Sequence, residues 1–198
     1  MSVLAVVCVR DNSTRMPHKW AAPAGGKTIL AHVVNRLGKA KSVDKIVLAV
    51  PDSPACGRIP EWAAENNVPV VYGPEHDLVE RMSRAVARWH EPGQFVFRAM
   101  SDQPFLDWAS LDFAATTLQT HGWDVVFPLT FGSDPVYGAG LSPWSERAWS
   151  AIEANSRGDE REHVGMWLRR NPKKFEYGLV DLPHWCFRPY RLEVDTPP

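Results

Sequence analysis

Cysteine is scarce in this chain, and the three present lie far apart. Cys8, Cys56 and Cys186 are odd in number and fit neither a disulfide framework nor the ligand spacing of a zinc site. A reducing cytoplasm is therefore the expected compartment. No apolar run approaches the ~20 residues that a membrane span needs. The apolar run near the N-terminus is short and has no basic region ahead of it, which argues against a signal peptide. Charge of one sign is missing too: 22 Lys and Arg face 23 Asp and Glu, a formal net charge of −1. That balance gives no overall field to draw the protein to nucleic acid or an anionic membrane, so any anion site must be local. Internal repeats, low-complexity tracts and linkers are also lacking. The 198 residues suit one domain, 1–198, with a substantial core.

What is present is an alternation. LAVVCV (4–9), KIVLAV (45–50), VPVVY (68–72), QFVFRAM (94–100) and WDVVFPL (123–129) are short apolar runs of the kind that suits strands. Between them, segments beginning at Thr28, Arg58, Asp77 and Ser110 have apolar residues at helical spacing, with Thr28 placed to cap the first. Strands alternating with helices predict an α/β fold with a mostly parallel sheet flanked by helices and right-handed crossovers. Regularity falls at about 130–185. There, 143–153 and 159–171 are expected as helices, and FEYGLV and YRLEVD as late strands. Ligands of such sheets sit outside the carboxyl ends of the strands, which directs attention to 10–27, 51–57, 73–77, 99–107 and 130–140.

Two nucleotide motifs fail. Gly26-Lys27-Thr28 ends like a phosphate loop, but the first glycine of that motif would fall at Ala21. Gly25-Gly26 are better placed to turn the chain into the first helix. The dinucleotide glycine pattern is absent after the first strand, and Gly138-Ala139-Gly140 is followed by Pro143 where a third glycine belongs. The loop after the first strand carries more information. Arg10, Arg15 and Lys19 fall within ten residues, with Ser13 and Thr14 between them and Pro17 stiffening the turn. Guanidinium forks and a lysine charge suit phosphate oxygens, and Asn12 tolerates the positive φ that turns backbone N–H groups inward. A solvated polar loop fits the same residues. Asp11 places a negative charge among these cations.

Asp102, after the fourth strand, and Asp195, at the end of YRLEVD, each read as a turn residue or as a carboxylate facing a cleft. Together, two such carboxylates suit a hard cation that also binds substrate phosphates. Asp77 fits a helix cap, with Arg81 one turn further as a surface charge. DEREHV (159–164) fits an ordinary acidic helix start. Trp62, Trp89, Trp149 and Trp167 lie in helical segments and are expected in the core or an interface. Trp20, beside Lys19, is expected to anchor its loop.

These pieces occur in an order that resembles the cytidylyltransferases of acidic sugars, most closely the SpsF-like branch of spore-coat polysaccharide biosynthesis, relatives of the CMP-sialic acid and CMP-Kdo synthetases. The family opening appears as Arg10 to Lys19 followed by Pro23 to Leu30. D-V-L-x-R appears as Asp77 to Arg81, and R-x-T-G-D-x-P as Arg98 to Pro104 with Ser101 in place of Gly. E-R-E-H-V appears as Glu160 to Val164, and V-D-T-P as Val194 to Pro197. The resemblance implies a Rossmann-like, nucleotide-diphospho-sugar transferase-like fold. It implies transfer of CMP from CTP to a sugar or sugar acid with release of pyrophosphate and with Mg²⁺ as cofactor. Arg10, Lys19 and Asp102 would be catalytic. Arg10, Asn12, Ser13, Arg15, Lys19, Arg81 and Arg98 would bind the nucleotide or substrate, and Asp102 and Asp195 the metal. The segment at about 130–185 would serve acceptor binding and homodimer contacts. Two alternatives stand beside this reading: a diverged member that binds a nucleotide or nucleotide-sugar without turnover, and a glycosyltransferase on the related fold. The family's acidic stretch after the fifth strand is replaced by Tyr137 to Leu141.

Overall fold

A computed structural model of the chain describes residues 2–128, 143–181 and 192–196. The elements in chain order are β1 (Val3–Cys8), β2 (Pro23–Ala24), β3 (Lys27–Thr28), α1 (Ile29–Leu37), β4 (Val43–Pro51), α2 (Ile59–Glu65), β5 (Val70–Gly73) and α3 (Leu78–Trp89). After these come β6 (Phe95–Met100), α4 (Trp108–His121), β7 (Val125–Pro128), α5 (Glu146–Asn155), α6 (Asp159–Glu162), α7 (Met166–Arg170) and β8 (Tyr177–Val180). Among the described residues four strands form the main sheet in the order β5-β4-β1-β6, and their pairings are parallel.

All six residues of β1 are buried, because the strand is central and covered on both faces. Its side chains alternate between two cores. Leu4, Val6 and Cys8 pack with α3 and α5 through Met82, Trp149 and Ile152. Val3, Ala5 and Val7 pack with α1, α2 and α4 through Leu30, Ile59 and Leu111. The result is three layers, helices on either side of a sheet. Each large apolar side chain buried in this way contributes about 1.5–3 kcal/mol over leaving it exposed. The expected α/β class and mostly parallel sheet are observed.

Several local expectations change. Gly25 and Gly26, both at positive φ, turn a two-residue-per-strand hairpin of β2 and β3 that precedes α1. Thr28 then caps α1 by accepting from the Ala31 amide at 3.1 Å. Among the described residues the fifth strand, β7, pairs in parallel with β8 and with no strand of the main sheet. The helix expected over 143–153 starts only at Glu146, because Trp144 exchanges backbone hydrogen bonds with Val96 of β6. The helix expected over 159–171 is two short helices, broken where Gly165 adopts a φ of 89°. Of YRLEVD, residues 192–195 form no strand, while Tyr190 and Arg191 lie outside the described residues. Tyr137 to Leu141 and Cys186 also lie outside them. No helix among the described residues is long and apolar enough to cross a membrane.

Candidate functional site

The register of the sheet decides where chemistry can gather. Cys8 at the end of β1 pairs with Ala49 of β4 and Met100 of β6, and Pro51 pairs with Gly73 at the end of β5. The loops after β1, β4, β5 and β6 therefore leave the same edge, at the carboxyl ends of the strands.

The loop after β1 is closed on itself and tied to its neighbour. The Asp11 amide donates to the Ala55 carbonyl at 2.8 Å, and the His18 amide to the Asp11 carbonyl at 3.0 Å. His18, not Asn12, takes the positive φ in this loop, at 57°. It leads into a turn of 3-10 helix, Lys19–Ala21, whose Trp20 is buried. The Asp11 carboxylate does not oppose the cations of its own loop. It accepts from the Trp20 indole at 2.5 Å and pairs with His18 at 2.8 Å. Gly57 permits this, since a Cβ at that position would sit 2.2 Å from an Asp11 carboxylate oxygen. Trp20 thus anchors the loop, as expected. Asn12 points elsewhere, donating at 2.5 Å to Glu75, which also accepts from Ser53 at 2.8 Å. These bonds, Asn12 first, hold the Glu75 carboxyl below the usual range.

A cleft of about 240 Å³ opens beside this loop. Five cations face it: Arg10, Arg15 and Lys19 from the loop, Arg81 from α3 and Arg98 from β6. Ser13 is buried on the same wall, and Ser101 and Asp102 form part of the floor. Asp102 and Asp195, far apart in sequence, meet here. The Lys19 ammonium donates to Asp102 at 2.5 Å and lies 3.5 Å from Asp195, which also pairs with Arg15 at 2.7 Å. A backbone bond from the Val194 amide to the Asp102 carbonyl, 2.8 Å, holds the two segments together. The other Asp102 oxygen, Oδ1, is buried without a hydrogen-bond partner among the described residues.

Arg81 corrects the surface reading of its motif. It is 1% exposed, and its Nε and Nη1 have no hydrogen-bond partner among the described residues. Burial chiefly, with the neighbouring Arg10 and Arg98 charges, pushes its guanidinium below the usual range. An arginine stays protonated regardless, so the cost falls on stability unless an anion answers it. Arg98 likewise has an Nε without a partner among the described residues, and its Nη1 makes one long bond, 3.4 Å, to the Val164 carbonyl. A buried and a half-buried guanidinium, each with buried N–H groups to spare, lie at one cleft, an arrangement able to receive an anion.

The DEREHV segment does more than start a helix. Arg161 pairs at 2.5 Å with Asp77, whose carboxylate also caps α3 by accepting from the Glu80 amide at 2.8 Å. Glu160 is anchored by Arg170 at 2.8 Å. Glu162 and His163 then line the cleft opposite the loop, with Arg10 3.9 Å from Glu162. Sequence reasoning missed Glu162 and His163 as lining residues of the cleft, and Glu75 as the carboxylate that holds Asn12 and Ser53 in the neighbouring loops. The signals were their places, in the segment after the third strand and in a repeated family motif.

Among the described residues, no cluster of three or more His, Cys, Asp or Glu side chains is arranged to hold a metal ion. The pair Asp102 and Asp195 nevertheless fits a hard cation shared with substrate oxygens. Both carboxylates reach one cationic group, and one buried oxygen is unsatisfied.

The chain is similar to known proteins. An uncharacterised protein of Methanocaldococcus jannaschii is 24% identical over 201 residues, which span 99% of this chain and 79% of that protein. A 3-deoxy-manno-octulosonate cytidylyltransferase of Anaeromyxobacter dehalogenans is 26% identical over 105 residues, 53% of this chain and 42% of the enzyme, so the match spans less than half of its length. The solved structure of a cytidylyltransferase from Leptospira borgpetersenii superposes with a TM-score of 0.84 at 25% identity, covering 98% of this chain and 81% of that one. Residues 5–174 match the MobA-like NTP transferase domain, and the chain belongs to that family of nucleotidyltransferases.

Proposed function

We propose that this protein transfers CMP from CTP to a sugar or sugar acid, releasing pyrophosphate, with Mg²⁺ as its metal. The observation that carries the reading is the buried Arg81, with two unpartnered N–H groups, beside a carboxylate pair that shares one cation. A site built this way answers a polyanion that brings its own cation. The cytidylyltransferase identities of the Leptospira structure and the Anaeromyxobacter enzyme support CTP as the nucleotide. The EREHV and VDTP motifs support the SpsF-like branch within the family.

The side chains divide the work. Arg10, Arg15 and Lys19 hold phosphate oxygens from the loop, while Ser13 lies on the same wall. Arg81 and Arg98 hold anionic oxygen from the rigid side of the cleft, their guanidiniums fixed by a helix and a strand. Asp102 and Asp195 hold the metal, which screens the triphosphate and the charge growing on the leaving pyrophosphate. An acceptor oxygen attacks the α-phosphorus as the bond to pyrophosphate breaks. The protein contributes position and charge complementarity rather than a covalent intermediate. The acceptor is assigned to the wall formed by Glu162 and His163 and to the segment at about 130–185. Trp149 and Trp167 are buried in the chain's own core, so homodimer contacts would use other residues of that segment.

The binding-only alternative rests on Asp11 and on Tyr137 to Leu141; the Asp11 carboxylate is engaged by Trp20 and His18, and Tyr137 to Leu141 lie outside the described residues. The test is pyrophosphate release from CTP and Mg²⁺ over a panel of sugar and sugar-acid acceptors. Asp102→Ala is expected to abolish release, by at least 100-fold, with the fold intact by circular dichroism. An unchanged rate in that variant would falsify the metal assignment. Consumption of an intact nucleotide-sugar in preference to CTP would instead identify a glycosyltransferase.

A further inference from the structure

Lys19 stands where a metal would be expected to stand. Its ammonium lies 2.5 Å from Asp102 and 3.5 Å from Asp195, and its side chain is only 12% exposed. We propose that Lys19 is the resident cation of the Asp102–Asp195 pair, and that the pair accepts a divalent ion only as a metal–nucleoside triphosphate complex that draws the ammonium away. The inference rests on the nucleotide reading above and adds to it the form in which the substrate enters.

A divalent ion seated against both carboxylates would lie within a few ångströms of the ammonium, and like charges at that range in a half-buried site repel strongly. Lys19 must therefore leave for the ion to enter. Without a phosphate, the displaced ammonium gives up two carboxylates and gains nothing. With a triphosphate present, it exchanges carboxylate oxygens for phosphate oxygens. Metal and nucleotide thereby favour each other's binding, and the coupling is reciprocal.

The geometry allows the exchange. The backbone beneath Lys19 is fixed, since Trp20 is buried and bonded to Asp11 and the Ala22 amide donates to the Lys19 carbonyl at 3.2 Å. Only the flexible four-carbon stem has to swing. Arg15, the other partner of Asp195, is 64% exposed and is free to follow a phosphate. The unpartnered Asp102 Oδ1 remains in the same place as a ligand atom for the incoming ion.

The experiment is a Mn²⁺ titration followed by electron paramagnetic resonance, on the full chain, with and without α,β-methylene-CTP. Wild type is expected to hold Mn²⁺ weakly alone and at least tenfold more tightly with the analogue. Lys19→Met is expected to bind Mn²⁺ alone at least tenfold more tightly than wild type, while Lys19→Arg, which keeps the charge, stays weak. Equal affinity of wild type and Lys19→Met for Mn²⁺ alone, with tight binding in the presence of the analogue, overturns the role of Lys19 and leaves the nucleotide–metal reading standing. An equal gain in Lys19→Arg overturns it too, since charge would then not be the cause. Mn²⁺ that stays free in every mixture overturns both.

Discussion

Asp11 shows how far charge on a sequence can stand from charge at a site. It lies next to Arg10 in the chain, yet its carboxylate faces Trp20 and His18 and not the cleft. Its work is to hold the turn that carries Lys19. Asp11→Ala would leave the Trp20 indole N–H without its partner in a largely buried place, at a cost of about 1–3 kcal/mol. The expected outcome is a matching loss in urea-unfolding free energy, with a smaller fall in turnover than Asp102→Ala produces. A stable Asp11→Ala protein that has lost nucleotide binding would show that the carboxylate serves the ligand instead. Arg81 is the opposite case. From sequence it fits a surface charge one turn into a helix. In the fold it is buried beside Cys8 and facing Arg10 and Arg98, because α3 packs its Leu78 and Met82 face onto the sheet and carries Arg81 down with it. The family motif marked the residue, but residue type and spacing did not reveal its burial.

Elements differed in how plainly the sequence announced them. β1 was legible because a strand covered on both faces must be apolar throughout, and LAVVCV is. The hairpin of β2 and β3 was not, since two residues per strand carry no period. The split of α6 from α7 was signalled only by Gly165, which a helical pattern tolerates on paper. The parallel pairing of β7 with β8 joins segments about fifty residues apart, and no local pattern encodes it. In the candidate site, the cation loop and both aspartates were legible individually. Their meeting was not, because it depends on the Val194–Asp102 backbone bond that brings the late segment across. Glu75 is the clearest functional residue of this kind. It ties the loops after β1, β4 and β5 together through Asn12 and Ser53. Its folded carboxyl titrates below its unfolded value, so its contribution is present above the ordinary carboxylate range and is lost as pH falls through the folded value. Wild type should accordingly be more stable than Glu75→Gln near neutral pH, with the gap closing as pH falls below the ordinary carboxylate range. Urea unfolding of both proteins across that range checks it; a gap that stays constant would show that the charge of Glu75 is not what holds the loops.

For the whole molecule, near-neutral composition concealed a strongly asymmetric site. The formal charge of −1 is spread over the surface, while five cations converge on one cleft at the carboxyl edge of the sheet. That concentration, with the buried Arg81 guanidinium unsatisfied among the described residues, stores instability that a polyanionic ligand would relieve, and it is the physical core of the proposed activity. The most direct measurement is a thermal-unfolding screen of wild type and Arg81→Met with CTP, UTP, ATP or GTP and Mg²⁺. The account predicts that CTP raises the wild-type midpoint, by several degrees at saturating ligand, more than the other nucleotides do, and that Arg81→Met loses the rise without losing stability in the free state. A wild-type midpoint indifferent to all four nucleotides, or an undiminished rise in Arg81→Met, would contradict it.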